Sequence, residues 1–171
     1  MWTIIKGTPK HVSELTELGR ITFMESHGHC ATEKEVNEYL NTHLIHEKFL
    51  SELKDKKNLF YLVMLEGTMI GYSKIILNSE NPNHPSEEIT KMERLYVLKA
   101  HHGTGIAKKL FEFNVELAKE NLQQGIWLNV WVENERAIQF YKKSGFKNIG
   151  SYSFKVSENH SNPNHVLFLE L

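Results

Sequence analysis

Cysteine is nearly absent from this chain of 171 residues: Cys30 is the only one. An intramolecular disulfide and a cysteine-rich zinc site are therefore both excluded. Prolines number only four, and no Pro/Ser-rich linker, internal repeat or low-complexity tract divides the chain. One domain over residues 1–171 is expected, at a length that can bury a continuous core. An excess of either charge is lacking too, with 20 Lys and Arg against 21 Asp and Glu. That balance gives no support to a nucleic-acid or membrane-surface binder. No run approaches the roughly 20 apolar residues that cross a bilayer. The start, Met1-Trp2-Thr3-Ile4-Ile5-Lys6, has none of the marks of a secretory signal. A cytoplasmic protein without membrane or nucleic-acid partners is expected.

What is present is a change of hydrophobic period along the chain. Trp2 to Lys6 reads as a short strand stopped by Gly7 and Pro9. From Pro9 to Phe23, apolar residues recur at three- and four-residue steps through Val12, Leu15, Leu18 and Ile21. A second helical stretch opens at Thr32, where Glu35 three residues on makes a capping box, and it breaks near His43 to His46. Asn58 to Leu65 and Met69 to Leu77 are apolar runs around a Glu66-Gly67 turn, hence a hairpin. Another strand covers about Glu88 to Val97. The remainder alternates: a helix from Thr104 to about Gln123, a strand from Ile126 to Val132, and a helix from Asn134 to Ser144 ended by Gly145. Strands at Phe146 to Val156 and His165 to Leu171 come last, with Asn159 to Asn164 as a loop between them. A mixed α/β sheet with helices on both faces satisfies this order.

The most informative stretch joins the strand ending at Val97 to the next helix. His102-Gly103-Thr104-Gly105-Ile106-Ala107 turns the backbone through two glycines into a helix start. The first amides of a helix have no intrahelical acceptor and carry partial positive charge. Gly103 and Gly105 let a phosphate come close to the backbone, and Lys108 and Lys109 could add charge. The turn is physically a diphosphate cradle, although a strand-to-helix turn with no ligand has the same pattern. It is neither a nucleotide P-loop, lacking Gly-Lys-Ser/Thr, nor the dinucleotide fingerprint, which needs a glycine where Lys108 stands.

This turn resembles the Q/R-x-x-G-x-G/A acetyl-CoA signature of the GNAT superfamily, matched at Gly105 and Ala107, with His102 where Gln or Arg is usual. Downstream, Asn134-Glu135-Arg136-Ala137-Ile138-Gln139-Phe140-Tyr141-Lys142-Lys143-Ser144-Gly145-Phe146 is similar to the superfamily's N-x-x-A-x-x-x-Y-x-x-x-G-F segment at every fixed position. A looser likeness through Ile21-Thr22-Phe23, Gly71-Tyr72 and Glu93-Arg94-Leu95-Tyr96-Val97 points to the PaiA-type spermidine/spermine N-acetyltransferases. The resemblance implies a mostly antiparallel sheet of about seven strands. It implies acetyl-CoA as cosubstrate and no metal, with the diphosphate on His102, Gly103, Thr104, Gly105, Ile106, Ala107 and Lys108. The pantetheine arm would run along the main chain of Leu95, Tyr96 and Val97, with Asn134, Ala137 and Tyr141 also against the cofactor.

Acetyl transfer from a thioester to an amine needs a free lone pair on nitrogen, donors for the oxyanion and a proton for the departing sulfur. Tyr141 is the candidate proton donor, because a phenol holds its proton at pH 7. Packing alone would also explain an aromatic there. An amide near Val97 is the implied oxyanion donor. Glu93 is the candidate base, with Tyr96 the weaker alternative, but a solvated or substrate-binding carboxylate reads equally from the strand. A polyamine acceptor would call for a carboxylate-lined pocket, to which Glu25, Glu33 and Glu93 are candidates. The rivals are acetylation of a peptide N-terminus or another small amine, and a CoA-binding regulatory module with little catalysis. His27-x-His29-Cys30 lacks partners that would complete a metal sphere. Trp127 and Trp131 share a strand face and read as core. The final strand is the candidate for pairing across a homodimer.

Overall fold

A computed structural model describes all 171 residues, Met1–Leu171. The elements come in the order β1 (Trp2–Lys6), α1 (Val12–His27), α2 (Glu33–His43), α3 (His46–Lys54), β2 (Asn58–Leu65), β3 (Thr68–Ile76) and β4 (Ile89–Val97). Then come α4 (Ile106–Glu120), β5 (Gly125–Trp131), α5 (Glu135–Lys143), β6 (Lys147–Ser157) and β7 (His160–Glu170).

Local chemistry sets these boundaries. At the start of α2 the Thr32 hydroxyl accepts from the Glu35 amide, and the Glu35 carboxylate accepts from the Thr32 amide at 3.1 Å. That is the expected capping box, and it satisfies two amides the helix cannot. Glu66 and Gly67 join β2 to β3 with φ of 50° and 84°. Positive φ at both central residues matches the twist of a tight hairpin. Asn134 caps α5 by accepting from the Ala137 amide, and Gly145 leaves that helix with φ of 97°.

All seven strands form one sheet in the order β1-β2-β3-β4-β5-β7-β6. Every neighbouring pair is antiparallel except β4 and β5, which run parallel because α4 carries the chain back between them. Two irregularities in β4 break the regularity of the sheet. Lys74 pairs with Arg94 and Ile75 with Met92, so Glu93 is an extra residue, a bulge that bends the strand. Moreover β4 pairs with β5 only at Ile89, Thr90 and Lys91. Beyond Lys91 the two strands separate.

The sheet is covered on both faces. Leu15, Val36, Phe49, Phe60, Leu62, Tyr72 and Trp131 pack under α1–α3 on one side. Phe111, Ala118, Ile126, Leu128, Val130 and Ile138 pack under α4 and α5 on the other.

Two expectations are corrected. Asn162, Pro163 and Asn164 are not loop: β7 begins at His160, and these residues stand opposite Phe154, Ser153 and Tyr152 of β6. Pro163 is tolerated because β5 ends opposite Asn164, so no β5 residue needs an amide from position 163. The final strand is also not free to pair across a dimer, since β7 lies between β5 and β6 and both its edges are used.

Candidate active site

The separation of β4 from β5 opens the sheet, and a cavity lies on each side of the opening. One, of about 440 Å³, lies beneath α1–α3 and has Phe23, His27, Glu52, Lys74, Arg94 and Trp131 in its wall. The other, of about 310 Å³, is lined by Val97, His102, Ala107 and Arg136 among others. Leu95, Tyr96, Asn134, Ala137 and Tyr141 belong to both walls. The predicted strand-end and α5 residues thus meet where the two cavities join.

On the smaller cavity's side, Gly103 and Gly105 have φ of 78° and 83°, a left-handed conformation that favours glycine. A Cβ at either would touch nothing, so the space before the turn is open. The amide of Lys109 makes the first main-chain bond of α4, to the Gly105 carbonyl at 3.0 Å. From Gly103 to Lys108, no backbone amide donates to another backbone group. Successive unpaired amides at a helix start suit an anion, and the residues present fit a diphosphate. Ile106 anchors the helix by burying its side chain with Leu110.

Two details here differ from expectation. The Lys108 ammonium reaches back to Glu112 at 3.8 Å on the exposed helix surface, and its side chain lines neither cavity. The cation in the smaller cavity's wall is Arg136, which stands at a variable position of the motif and so carried no signal in the sequence. His102, in place of Gln or Arg, joins the two banks of the opening. One ring nitrogen, Nε2, lies 2.8 Å from the Val97 carbonyl, and the other, Nδ1, meets the Arg136 guanidinium. A carbonyl only accepts and a guanidinium only donates, so Nε2 faces an acceptor and Nδ1 faces a donor.

Leu98 donates to the Ile70 carbonyl on the β3 side. Antiparallel alternation then turns the amide of Val97, opposite Gly71, toward the opening where β5 no longer pairs.

The Tyr141 side chain is buried between Phe140 and Phe146, with ring centroids 5.3 and 5.2 Å away. Burial, with Tyr96 nearby, raises its pKa above the usual phenol value, so the proton stays on. Burial likewise raises Tyr96, which leaves that phenol a poor base as well.

Glu93 sits in the larger cavity's wall but is not free. Its carboxylate pairs with Lys74 and, at 3.2 Å, with Lys91. Burial opposes its charge, yet Lys74, Lys91 and Arg94 outweigh that and bring its pKa down to about 2. A carboxylate so held has little affinity for an ammonium proton, which argues against the expected base. Neighbouring Glu52 takes a bidentate pair from Arg94, at 2.8 and 3.0 Å, and reaches Lys74 at 3.2 Å. Glu25 lies on the other cavity and accepts from the Lys99 amide at 2.9 Å, and Glu33 is exposed at the start of α2. The three carboxylates expected to gather around a polyamine do not converge.

Several wall residues were missed. The His27 ring stacks on Phe23 at 5.1 Å and tilts against Trp131 at 6.0 Å, and burial first, then His29, lowers its pKa to about 4. It is a neutral imidazole in an aromatic wall. Asn129, between Trp127 and Trp131, carries a buried Oδ1 with no hydrogen-bond partner. Lys74 and Arg94 sit among apolar strand residues, and charges in a buried run were the available signal.

A cleft of this form, with an open amide nest beside one cavity and a second cavity adjoining it, has room for an anionic ligand next to a second small molecule. Residues 20–146 match the Acetyltransferase (GNAT) family. The chain belongs to that family and is an acetyl-CoA-dependent N-acetyltransferase. An uncharacterized N-acetyltransferase of Lactobacillus delbrueckii subsp. lactis is 25% identical over 155 residues, covering 91% of this chain and 90% of its own. The fold is similar to that of the PaiA N-acetyltransferase from Thermoplasma acidophilum in complex with coenzyme A. The TM-score is 0.79 at 18% identity, over 100% of this chain and 99% of that one. The ribosomal-protein-S18-alanine N-acetyltransferase from Escherichia coli also shares it, with a TM-score of 0.73 at 13% identity over 99% and 94% of the two chains.

Proposed function

We propose that this enzyme acetylates the primary amine of a small molecule by direct attack, with both substrates bound at once on opposite sides of the opening between β4 and β5. The observation that carries the reading is the meeting of the two cavities at Leu95, Tyr96 and Tyr141. Acetyl-CoA, when bound, supplies an acetyl carbon made electrophilic by its thioester. The six amides from Gly103 to Lys108 hold the diphosphate, with Arg136 beside them. Leu95 to Val97 offer main chain to the pantetheine arm, and Asn134 and Ala137 form the opposite bank.

The amine gives up its proton to water in the larger cavity, since Glu93 and Tyr96 are poorly suited to take it. The nitrogen–carbon bond forms while the carbon–sulfur bond breaks. The Val97 amide steadies the carbonyl oxygen as charge gathers there. Tyr141 gives its proton to the departing sulfur and recovers one from the new amide nitrogen. Cys30 is buried, with its carbonyl accepting from Asn162, and takes no part.

For a polyamine, the class implied by the resemblance, the carboxylates facing the acceptor would have to be free. Glu52 and Glu93 are instead engaged by Lys74, Lys91 and Arg94, which favours an acceptor of lower positive charge. A thiol-release screen over polyamines, amino acids, aminoglycosides and peptides tests the reading. Release with small amines supports it, and release with peptide N-termini alone moves the acceptor to proteins. Coenzyme A binding without release from any amine would leave a regulatory CoA-binding module.

A further inference from the structure

The charges in the wall of the larger cavity form a chain that begins and ends with a cation. Lys91 meets Glu93 at 3.2 Å, Glu93 meets Lys74, Lys74 meets Glu52 at 3.2 Å, and Glu52 meets Arg94 at 2.8 Å. All five side chains line the cavity. The remaining titratable groups in that wall are His27, which burial keeps neutral, Tyr39, Tyr72, Tyr96 and Tyr141, whose protons burial holds on, and Tyr152, so no further carboxylate or cation joins the chain. Three cations against two carboxylates leave one positive charge in excess.

The excess is most accessible at one end. Arg94 is a bidentate partner of Glu52 and packs over the Phe49 ring at 5.2 Å, while the Lys74 side chain is only 7% exposed. Lys91 is 24% exposed and meets a single carboxylate. Its ammonium stands 5.1 Å from the Trp127 ring centroid. An ammonium has three donors, so Lys91 can still take an anion. Lys91 is also the last β4 residue that pairs with β5, opposite Trp127, where the opening begins. Two residues along that face of β5 comes Asn129, whose buried Oδ1 lacks a donor. The wall therefore offers a cation and, one strand over, the Asn129 amide, whose oxygen lies just behind the surface with no protein donor.

We propose that the acceptor is an amine that also carries a carboxylate, of the amino-acid or short-peptide class, with its carboxylate on Lys91 and its nitrogen toward Asn129 Oδ1. This rests on the acetyl-transfer reading above and narrows the substrate of that same site. A polycation brings further positive charge to a wall that already has an excess, and is disfavoured.

The test uses the full-length protein with acetyl-CoA and follows thiol release from matched amines: amino acids and dipeptides, their carboxamides, and spermidine. Carboxylate acceptors are expected to exceed their carboxamides at least tenfold in kcat/KM and to exceed spermidine. Lys91→Met is expected to raise KM for the carboxylate acceptor about tenfold, at least fivefold more than for the carboxamide, with KM for acetyl-CoA unchanged. Lys91→Glu shifts the preference toward cationic amines. Equal rates for acid and carboxamide in the unmodified enzyme overturn the assignment whether or not the variants fold. Release confined to spermidine also overturns it and leaves acetyl transfer standing. If coenzyme A binds and no amine releases thiol, the acetyl-transfer reading falls and the assignment with it.

Discussion

At the scale of single residues, burial acts on Tyr141 and Glu93 in opposite company. Tyr141 sits between Phe140 and Phe146 in an apolar cluster, with another phenol nearby, so burial keeps its proton on. Removing the hydroxyl should slow the departure of sulfur without disturbing cofactor binding. Tyr141→Phe is expected to lower kcat by about 100-fold, within the range typical of general acids, with KM for acetyl-CoA little changed. Because the phenol stays protonated beyond its usual range, the loss should be the same at pH 7 and pH 9. Steady-state kinetics at the two values check this.

Glu93 is held ionised by cations, with a folded-state pKa of about 2. Its depressed pKa contributes stability that is present above the unfolded carboxylate value and is lost as pH falls toward 2. A drop from 4.5 to about 2 corresponds to about 3 kcal/mol, in line with the cost of breaking a buried pair. Glu93→Gln should therefore lower unfolding stability by about 3 kcal/mol at pH 7. The gap to the unmodified protein should shrink between about pH 5 and pH 2, where Glu93 itself becomes neutral. Urea midpoints measured across that window decide it, and a gap independent of pH would show that packing, not charge, is lost.

At the scale of elements, the strand-to-helix turn joins sequence to site most directly. Gly103 and Gly105 were legible because two closely spaced glycines before a helix already describe an open amide nest. The motif at Asn134 to Phe146 was legible for a similar reason: cap, packing and C-terminal glycine are all local features. The capping box at Thr32 and Glu35 and the β2–β3 hairpin emerged at their expected positions for the same cause. What was not legible depends on pairing between distant strands. Nothing local announces that β4 leaves β5 after Lys91, that Glu93 falls on a bulge, or that Lys74 of β3 comes to hold it. Asn162 to Asn164 misled because their polar, proline-containing run reads as loop, whereas β6 supplies the ladder that makes it strand. The turn can be tested by itself. A Cβ at Gly105 clashes with nothing, so Gly105→Ala costs only the left-handed backbone, about 1 kcal/mol. That should lower Tm by about 3 °C. Binding should suffer more, because the amides at the helix start are re-aimed. Calorimetry is expected to show coenzyme A affinity at least tenfold weaker, and an unchanged affinity would place the diphosphate elsewhere.

At the scale of the whole molecule, the opening that makes the site also weakens the sheet at its centre. The parallel seam between β4 and β5 is held by three residue pairs, and beyond them no strand ladder joins the two halves; His102, which links Val97 to Arg136, packing around Tyr141, and contacts of β5–β7 with the helices over the other face bridge them instead. A ligand lying in this opening touches β4 and the α4 turn on one bank and α5 on the other, replacing hydrogen bonds that the separated strands cannot make with each other. Coenzyme A should therefore stabilise the fold as a unit. At about 100 times its dissociation constant the gain is about 2.7 kcal/mol, equivalent to a rise in Tm of about 5–10 °C for a chain of this size. If the ligand bridges the two banks, hydrogen exchange should slow in both β4 and α5 on binding. Protection limited to the α4 turn would mean that only the diphosphate is held and that the pantetheine arm does not enter between the strands.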